Sequence, residues 1–197
     1  MHPAWGVDLF LSNERVDVLA AITAGAAAAK LGVVPPEREE MGPDEVRIAF
    51  DGDAVVFSKE SDEIYKKDGL AAFIQHERDN ATKPMAGGPF GNFLKKLSLL
   101  RHIYMNDQGI SRVRVAIVTA RNAPAHARMI LTLRAWGTPA DEAHFVGLCE
   151  KAPILKGFGA HIFFDDQEKH FLGASTVVPA GHVPRPHSPD DPVIPAG

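Results

Sequence analysis

Short apolar runs alternate along the chain with longer segments in which apolar and polar residues recur at helical spacing. The apolar runs predict strands over residues 7–11, 46–50, 113–118, 143–146 and 161–164, with a last edge strand at 176–178. The amphipathic segments predict helices over residues 13–31, 61–80, 90–105, 123–136 and 153–158. Because strands alternate with helices from residue 46 onward, the pattern predicts an α/β fold with a parallel sheet covered on both faces.

The two ends of the chain differ from this pattern. Residues 24–29 are nearly all alanine and favour a close-packed helix, which Ser12 or Asn13 is placed to cap. Residues 32–43 are polar and rich in proline, which predicts a linker. Residues 181–197 are also rich in proline, and we expect an extended, largely disordered tail there.

Composition excludes several classes of protein. The chain has 197 residues, of which 45% are hydrophobic, so it can fill a core and is not disordered throughout. Its net charge of −4 gives no general attraction for nucleic acid. A lone cysteine, Cys149, excludes a disulfide scaffold and fits a reducing compartment. No apolar run is long enough to span a membrane and no signal peptide is visible, so we expect a cytoplasmic protein.

Oxygen-bearing side chains stand where three predicted strands end. Asp51 and Asp53 follow the strand over 46–50, Thr119 follows the next, and Asp165 with Asp166 follows the strand over 161–164. Parallel strands place their carboxyl ends at one edge of a sheet, where ligands bind. Clustered carboxylates repel one another without a cation, and all-oxygen ligand sets suit Mg²⁺. These positions predict a Mg²⁺ site that also holds a phosphate.

The same residue types suggest a phosphoryl-transfer chemistry. An aspartate at such a site can act as a nucleophile, and a second carboxylate two residues later can act as general acid and base. Thr119 and the backbone N–H of Ala120 can hold phosphate oxygens. A lysine must offset the negative charge, and Lys151 and Lys156 compete for that role. Lys151 is favoured because it lies just before the predicted helix whose N-terminus faces the ligand edge.

Several of these residues also fit ordinary structural roles. The string Asp51-Gly52-Asp53 could be a simple turn, although its spacing is not that of an EF-hand loop. Asp165 and Asp166 could simply cap a following helix. The pair at residues 87–88, Gly-Gly, fits either an anion cradle or a turn. The nine histidines show no zinc-binding spacing.

Four longer strings carry a family resemblance. They are F-D-G-D-A-V-V-F-S at 50–58, V-T-A-R-N-A-P-A-H at 118–126, L-R-A-W-G at 133–137 and H-I-F-F-D-D-Q at 161–167. Together they resemble the cytosolic type I 5′-nucleotidases, a family of haloacid-dehalogenase-like phosphohydrolases, over about residues 1–185. The resemblance implies a Rossmann-like α/β fold with a small helical cap and Mg²⁺-dependent hydrolysis of nucleoside 5′-monophosphates such as AMP.

The resemblance also implies a role for each matching residue. Asp51 would be the nucleophile and a metal ligand, and Asp53 would be the acid and base, with its backbone carbonyl on the metal. Thr119 would bind phosphate, with Ala120 beside it. Lys151 matches the lysine of the family's P-K-G-P string, although its flanks here are E-K-A-P. Asp165 would ligate the metal, with Asp166 in support.

A cap over the site would occupy about residues 58–88. Tyr65, Phe73 and His76 are its candidates for contact with a base, although aromatic residues on a helix more often serve packing. Arg121 could bind the substrate phosphate or be a solvated surface charge.

The N-terminal region resembles a remnant of a longer protein. Residues 6–21 weakly echo residues 159–174, with Ser12 and Asn13 at the positions of the metal carboxylates. Family members carry a further N-terminal half. We therefore expect a remnant with its linker over 1–45, a phosphohydrolase core over 46–180 and a tail over 181–197.

Three functional outcomes follow from this division. The first is a nucleoside monophosphate hydrolase that forms a homo-oligomer or pairs with a missing N-terminal half. The second is a phosphatase for another small phosphomonoester. The third is a truncated nucleotide-binding or interaction protein with little activity.

Overall fold

The computed structural model describes residues 6–35 and 44–185, and in these residues seven strands form one sheet with six helices packed around it. The strands are β1 Leu9–Ser12, β2 Ala27–Leu31, β3 Val46–Phe50, β4 Val113–Thr119, β5 Glu142–Phe145, β6 Ile162–Asp165 and β7 Ala180–His182. The helices are α1 Arg15–Thr23, α2 Glu60–Asp79, α3 Gly91–Ile103, α4 His126–Ala135, α5 Ala152–Phe158 and α6 Glu168–Ala174.

The sheet has the order β1-β2-β7-β6-β3-β4-β5. Every neighbouring pair is parallel except β2 and β7, which are antiparallel. Phe50, at the end of β3, is in register with Ile117 of β4 and with Phe164 of β6. The predicted Rossmann-like α/β fold is confirmed, and the carboxyl ends of β3, β4 and β6 meet at one edge.

A hydrophobic core lies on each face of the sheet because successive strand residues point to opposite sides. Phe50 and Phe164 lie on one face with α3 and α4, and their rings stack with centroids 5.7 Å apart. Ala49 and Phe163 lie on the other face with α5. Helices therefore cover both faces, and the strand ends between them are fixed by buried side chains.

The alanine-rich run is a strand, so the predicted helix over 13–31 is wrong in its second half. Helix α1 ends at Thr23, and Gly25, whose φ of +87° suits glycine, reverses the chain into β2. Ala29 fits there because β7 packs closely against it. A Cβ on Gly181 of β7 would lie 2.9 Å from the Ala29 Cβ. Close packing between strands therefore overrides the helix propensity of alanine.

The last strand differs from its predicted position and from its predicted place at an edge. Residues 176–178 follow α6 as a turn, and β7, Ala180–His182, lies inside the sheet between β2 and β6. The N–H of Phe163 donates to the carbonyl of Pro179, so the proline sits at the entry to the strand without breaking the ladder. The predicted tail therefore begins inside the sheet, and its residues 186–197 lie outside the described residues, as do 36–43 of the linker.

The N-terminal echo has the same element order as its counterpart. Units β1-α1-β2 and β6-α6-β7 each contain two parallel strands joined by a helix, and they meet where β2 and β7 pair. Ser12 ends β1 as Asp165 ends β6. The first unit thus belongs to the same sheet as the core.

Segment 58–88 leaves the sheet as α2 and returns to it. Gly69 interrupts α2 with φ +80° and divides it into two helical parts. Gly88 brings the returning chain against the loop after β3, because a Cβ there would lie 2.3 Å from the Phe57 carbonyl oxygen. This close approach explains the second glycine of the Gly-Gly pair. Among the described residues, no helix is both long and apolar enough to cross a membrane.

Candidate active site

Three carboxylates converge at the carboxyl edge of the sheet. Asp51 follows β3, Asp165 ends β6 and Asp166 comes next along the chain. One oxygen from each lies within 4.8 Å of the others, and all three residues are buried. The parallel register of β3 and β6 brings these residues together across 114 positions of sequence.

Lys151 lies between two of these carboxylates. Its Nζ donates to Asp51 Oδ1 at 2.6 Å and to Asp165 Oδ2 at 2.7 Å. Burial alone would lower the pKa of Lys151, but the two carboxylates raise it, so the lysine is charged at neutral pH. The competing Lys156 is exposed on α5. Of the two candidates, the structure brings only Lys151 to the strand ends.

The charge of this cluster is not fully balanced. Burial and the nearby Asp51 raise the pKa of Asp165 to about 7, against the opposing effect of Lys151. Burial and Asp51 likewise raise the pKa of Asp166 to about 6. The Oδ1 atom of Asp166 is buried without a hydrogen-bond partner. An all-oxygen donor set with a surplus of negative charge and an unpartnered oxygen fits a hard divalent cation.

Thr119 lies directly beside the loop that carries the two aspartates. Its side chain is buried, and a Cβ on Gly52 would lie 3.1 Å from its Oγ1. Only glycine allows this approach without a shift of the threonine. Ala120 follows at the edge of the sheet and is exposed. The predicted phosphate-binding residues therefore border the carboxylate cluster.

The side chain of Asp53 faces a different partner from the other carboxylates. Both of its oxygens accept hydrogen bonds from Arg121, from Nε at 2.8 Å and from Nη2 at 2.7 Å. Burial raises the pKa of Asp53, although Arg121 lowers it. In the described residues, the carboxylate cluster does not include the Asp53 side chain. A metal contact through its backbone carbonyl remains a prediction.

Arg121 is buried, so its interpretation as a solvated surface charge is wrong. Its Nη1 donates to Glu77 Oε2 at 2.6 Å and to the carbonyl of Ala125 at 3.2 Å. Glu77 is also buried and accepts from Ser61 and from Arg128. Burial opposes ionisation of Glu77, but Arg121, Ser61 and Arg128 together lower its pKa.

Sequence reasoning missed Glu77 and Arg128. Glu77 lies in a segment with the charge density of an exposed helix, and no spacing distinguishes it or Arg128 from neighbouring surface charges. Only the fold shows that a buried carboxylate of α2 meets two arginines from the region of β4 and α4.

The candidate cap residues take different places. Tyr65 is about half exposed, and its ring meets that of Phe73 edge to face at 6.1 Å. Phe73 lies 5.5 Å from the guanidinium carbon of Arg121. His76 Nε2 lies 3.1 Å from Arg128 Nη1. Phe73 is therefore a predicted cap residue that contacts Arg121, whereas His76 joins α2 to α4.

One further residue reaches the site from beyond β7. Arg185 donates from Nε to Asp166 Oδ2 at 2.7 Å, and its Nη2 lies 2.5 Å from Asp62 Oδ2 on α2. The proline-rich composition around Arg185 predicted a disordered tail and gave no signal for this contact. Arg185 thus connects the carboxylate cluster to α2.

Comparisons with known proteins agree with this arrangement. The family model described as 5′-nucleotidase matches residues 2–190. The chain is 37% identical over 174 residues to human "Cytosolic 5'-nucleotidase 1B", a match that covers 87% of this chain and 28% of that relative. The chain thus spans less than a third of the length of this curated relative. No solved structure matches the chain. On the match of the family model, the chain belongs to the 5′-nucleotidase family.

Proposed function

We propose that this protein hydrolyses nucleoside 5′-monophosphates, with AMP as a representative substrate, in a Mg²⁺-dependent reaction through an aspartyl-phosphate. The observation that carries the proposal is the buried cluster in which Lys151 lies between Asp51 and Asp165, in a chain of the 5′-nucleotidase family. A buried, lysine-paired aspartate at the carboxyl edge of a parallel sheet suits a nucleophile that attacks phosphorus.

The first chemical step transfers the phosphoryl group to the protein. A carboxylate oxygen of Asp51 forms a bond to phosphorus while the bond to the ribose 5′-oxygen breaks. Asp53 gives its proton to the departing oxygen. Thr119 and the backbone N–H of Ala120 hold the phosphate oxygens, and Lys151 offsets their negative charge.

The second step releases phosphate. Asp53, now ionised, takes a proton from a water molecule, and that water attacks phosphorus and frees Asp51. Asp51, Asp165 and Asp166, with the backbone carbonyl of Asp53, would hold Mg²⁺. When bound, Mg²⁺ supplies positive charge that stabilises the negative charge on the phosphoryl oxygens.

Phosphate release from AMP tests the proposal. We expect turnover by the purified chain with MgCl₂, loss of turnover with a chelator, and recovery when MgCl₂ is restored in excess. Asp51→Asn removes the nucleophile and should abolish release, whereas Asp107→Asn, at an exposed residue before β4, should leave it unchanged. Turnover that survives both the chelator and Asp51→Asn would refute the mechanism.

A panel of substrates tests the substrate class. We expect nucleoside 5′-monophosphates to be hydrolysed with higher kcat/KM than sugar phosphates or glycerol phosphate. The relative's name places it in the cytosol, and we propose the same compartment for this chain. The lone cysteine, Cys149, is consistent with that compartment.

A further inference from the structure

We propose that Arg121 is a positioning residue: it fixes the Asp53 carboxyl for proton transfer and, through Glu77, makes that position depend on the cap helix α2. The inference rests on the proposed function, because it assigns Asp53 the proton transfer. It goes further in assigning the two residues that hold Asp53 in place.

The contact between Arg121 and Asp53 is a two-point contact. The guanidinium donates to both carboxylate oxygens, at 2.8 and 2.7 Å, and the Arg121 side chain is only 1% exposed. Two parallel hydrogen bonds fix the plane of a carboxyl group as well as its position. Each oxygen has a second lone pair, so one oxygen can carry the proton while both still accept from Arg121, and the carboxyl remains aimed throughout the reaction.

Arg121 has little capacity left for a substrate phosphate. Its Nη1 group donates to Glu77 and to the Ala125 carbonyl, so four of its five N–H groups have protein acceptors. Its guanidinium carbon also lies 5.5 Å from the ring centroid of Phe73. These contacts favour a role for Arg121 in positioning Asp53 rather than in binding substrate directly.

Glu77 connects the contact between Arg121 and Asp53 to helix α2 of the cap. It lies on the second part of α2, after the interruption at Gly69, and its side chain is 1% exposed. Its Oε2 accepts from Arg121, while its Oε1 accepts from Ser61 at 2.7 Å and from Arg128 at 3.1 Å. If this part of α2 is displaced, Glu77 moves with it and Arg121 loses an acceptor. The position of Asp53, which Arg121 fixes, therefore changes as well.

The matched control is Arg128. It is buried like Arg121 and also donates to Glu77, but the structure gives it no contact with Asp53. Arg128→Gln removes one donor to Glu77 but keeps the contacts of Glu77 with Ser61 and Arg121, so the contact between Arg121 and Asp53 stays intact. Any loss that Arg121→Gln shows beyond Arg128→Gln therefore reports on Asp53.

Steady-state kinetics with AMP test the proposal. General acid–base catalysis raises the rate of the chemical step about 10²–10⁴-fold. A misplaced Asp53 carboxyl should lose part of that rate enhancement. We expect Arg121→Gln to lower kcat about 10–100-fold with KM changed less than about threefold. Arg121→Lys keeps the positive charge but makes only a single contact with Asp53, so its kcat should fall between those of the wild type and Arg121→Gln. It replaces Arg121→Gln in the comparison if the glutamine variant does not fold. Arg128→Gln should keep kcat within about threefold.

A double-mutant cycle shows whether Arg121 acts through Asp53. In the Asp53→Asn background, we expect Arg121→Gln to cost less than about twofold in kcat. A rise in KM alone, an equal loss in both backgrounds, or an equal loss in Arg128→Gln would overturn the proposal. These outcomes differ from failure of the proposed function, in which the wild type itself releases no phosphate from AMP.

A measurement without turnover tests the contact itself. The Nε–H of Arg121 should be protected from solvent exchange in NMR spectra of the wild type and lose that protection in Asp53→Asn. Glu77→Gln should shift the Arg121 Nη signals and leave the Nε–H protected. An Nε–H that exchanges equally fast in the wild type and in Asp53→Asn overturns the proposal whether or not AMP is a substrate.

Discussion

Ionisation of Asp165 should destabilise the metal-free protein as the pH rises. Burial and the neighbouring Asp51 raise the pKa of Asp165 from 3.8 to about 7. A raised carboxyl pKa means that the folded state binds the proton more tightly than the unfolded state does. Its contribution to the free energy of unfolding therefore falls between about pH 4 and pH 7 and is constant above that range.

The size of the effect follows from the same pKa. Stability falls by about 1.4 kcal/mol per pH unit while the folded state alone holds the proton. Between about pH 5 and pH 7, where the slope halves as the folded carboxyl reaches its pKa, Asp165 should therefore lower the free energy of unfolding by about 2 kcal/mol. Histidines 170 and 182 have lowered pKa values because they are buried, and they oppose this trend in the wild type. A comparison with a variant at Asp165 cancels the contribution of His182, whereas that of His170 cancels only in part because its Nδ1 lies 3.7 Å from Asp165 Oδ2.

Asp165→Asn provides that comparison. Asparagine resembles the protonated carboxyl, so the variant should match the wild type within about 1 kcal/mol near pH 5 and be more stable by about 2 kcal/mol near pH 7. Urea unfolding in a chelator, followed by tryptophan fluorescence, measures both. Asp107→Asn, on an exposed carboxylate, should show no such trend.

Added MgCl₂ completes the experiment. A cation held by the carboxylates removes the repulsion, so MgCl₂ should stabilise the wild type more near pH 8 than near pH 5, and more than it stabilises Asp165→Asn. A difference between wild type and Asp165→Asn that is independent of pH, or that has the opposite sign, would refute this account of the cluster.

Three further predictions concern single side chains. Lys151→Met should lower kcat for AMP about 10²–10³-fold because it removes the cation beside Asp51, whereas Lys156→Met should stay within about twofold. Phe164→Ala should cost about 3–5 kcal/mol in urea unfolding, because Phe164 is fully buried among other aromatic rings. Gly88→Ala should cost at least about 1–3 kcal/mol by the same measurement, since its Cβ would meet backbone atoms that cannot move aside cheaply; a fully stable variant would contradict the close approach.

The strand ends were predictable because two independent patterns coincide there. Apolar runs that end in aspartate or threonine mark β3, β4 and β6, and parallel pairing then places those ends together without knowledge of side-chain positions. The choice of Lys151 over Lys156 followed from the direction of one helix, and the structure brings Lys151 to Asp51. These inferences needed only local pattern and the direction of each element.

The alanine run and the buried charges were not predictable in this way. Alanine favours helix when neighbours are ignored, and only the approach of β7 to β2 shows that β2 needs small side chains. Arg121 and Glu77 lie 44 positions apart, and nothing in the sequence states that one arginine faces inward while others face solvent. Such pairings depend on how the cap returns to the sheet.

The segment after Pro179 contributes residues both to the sheet and to the candidate site. Strand β7 is the only described strand between β2 and β6, so it joins the N-terminal unit to the sheet that carries Asp165. Three residues after β7, Arg185 holds Asp166 and contacts Asp62 of the cap. A core that ended at residue 180 would lack most of β7, which links the N-terminal unit to the sheet, and it would also lack Arg185. The candidate site therefore depends on a segment whose composition alone favours disorder, because strand pairing and the two ion pairs of Arg185 order it.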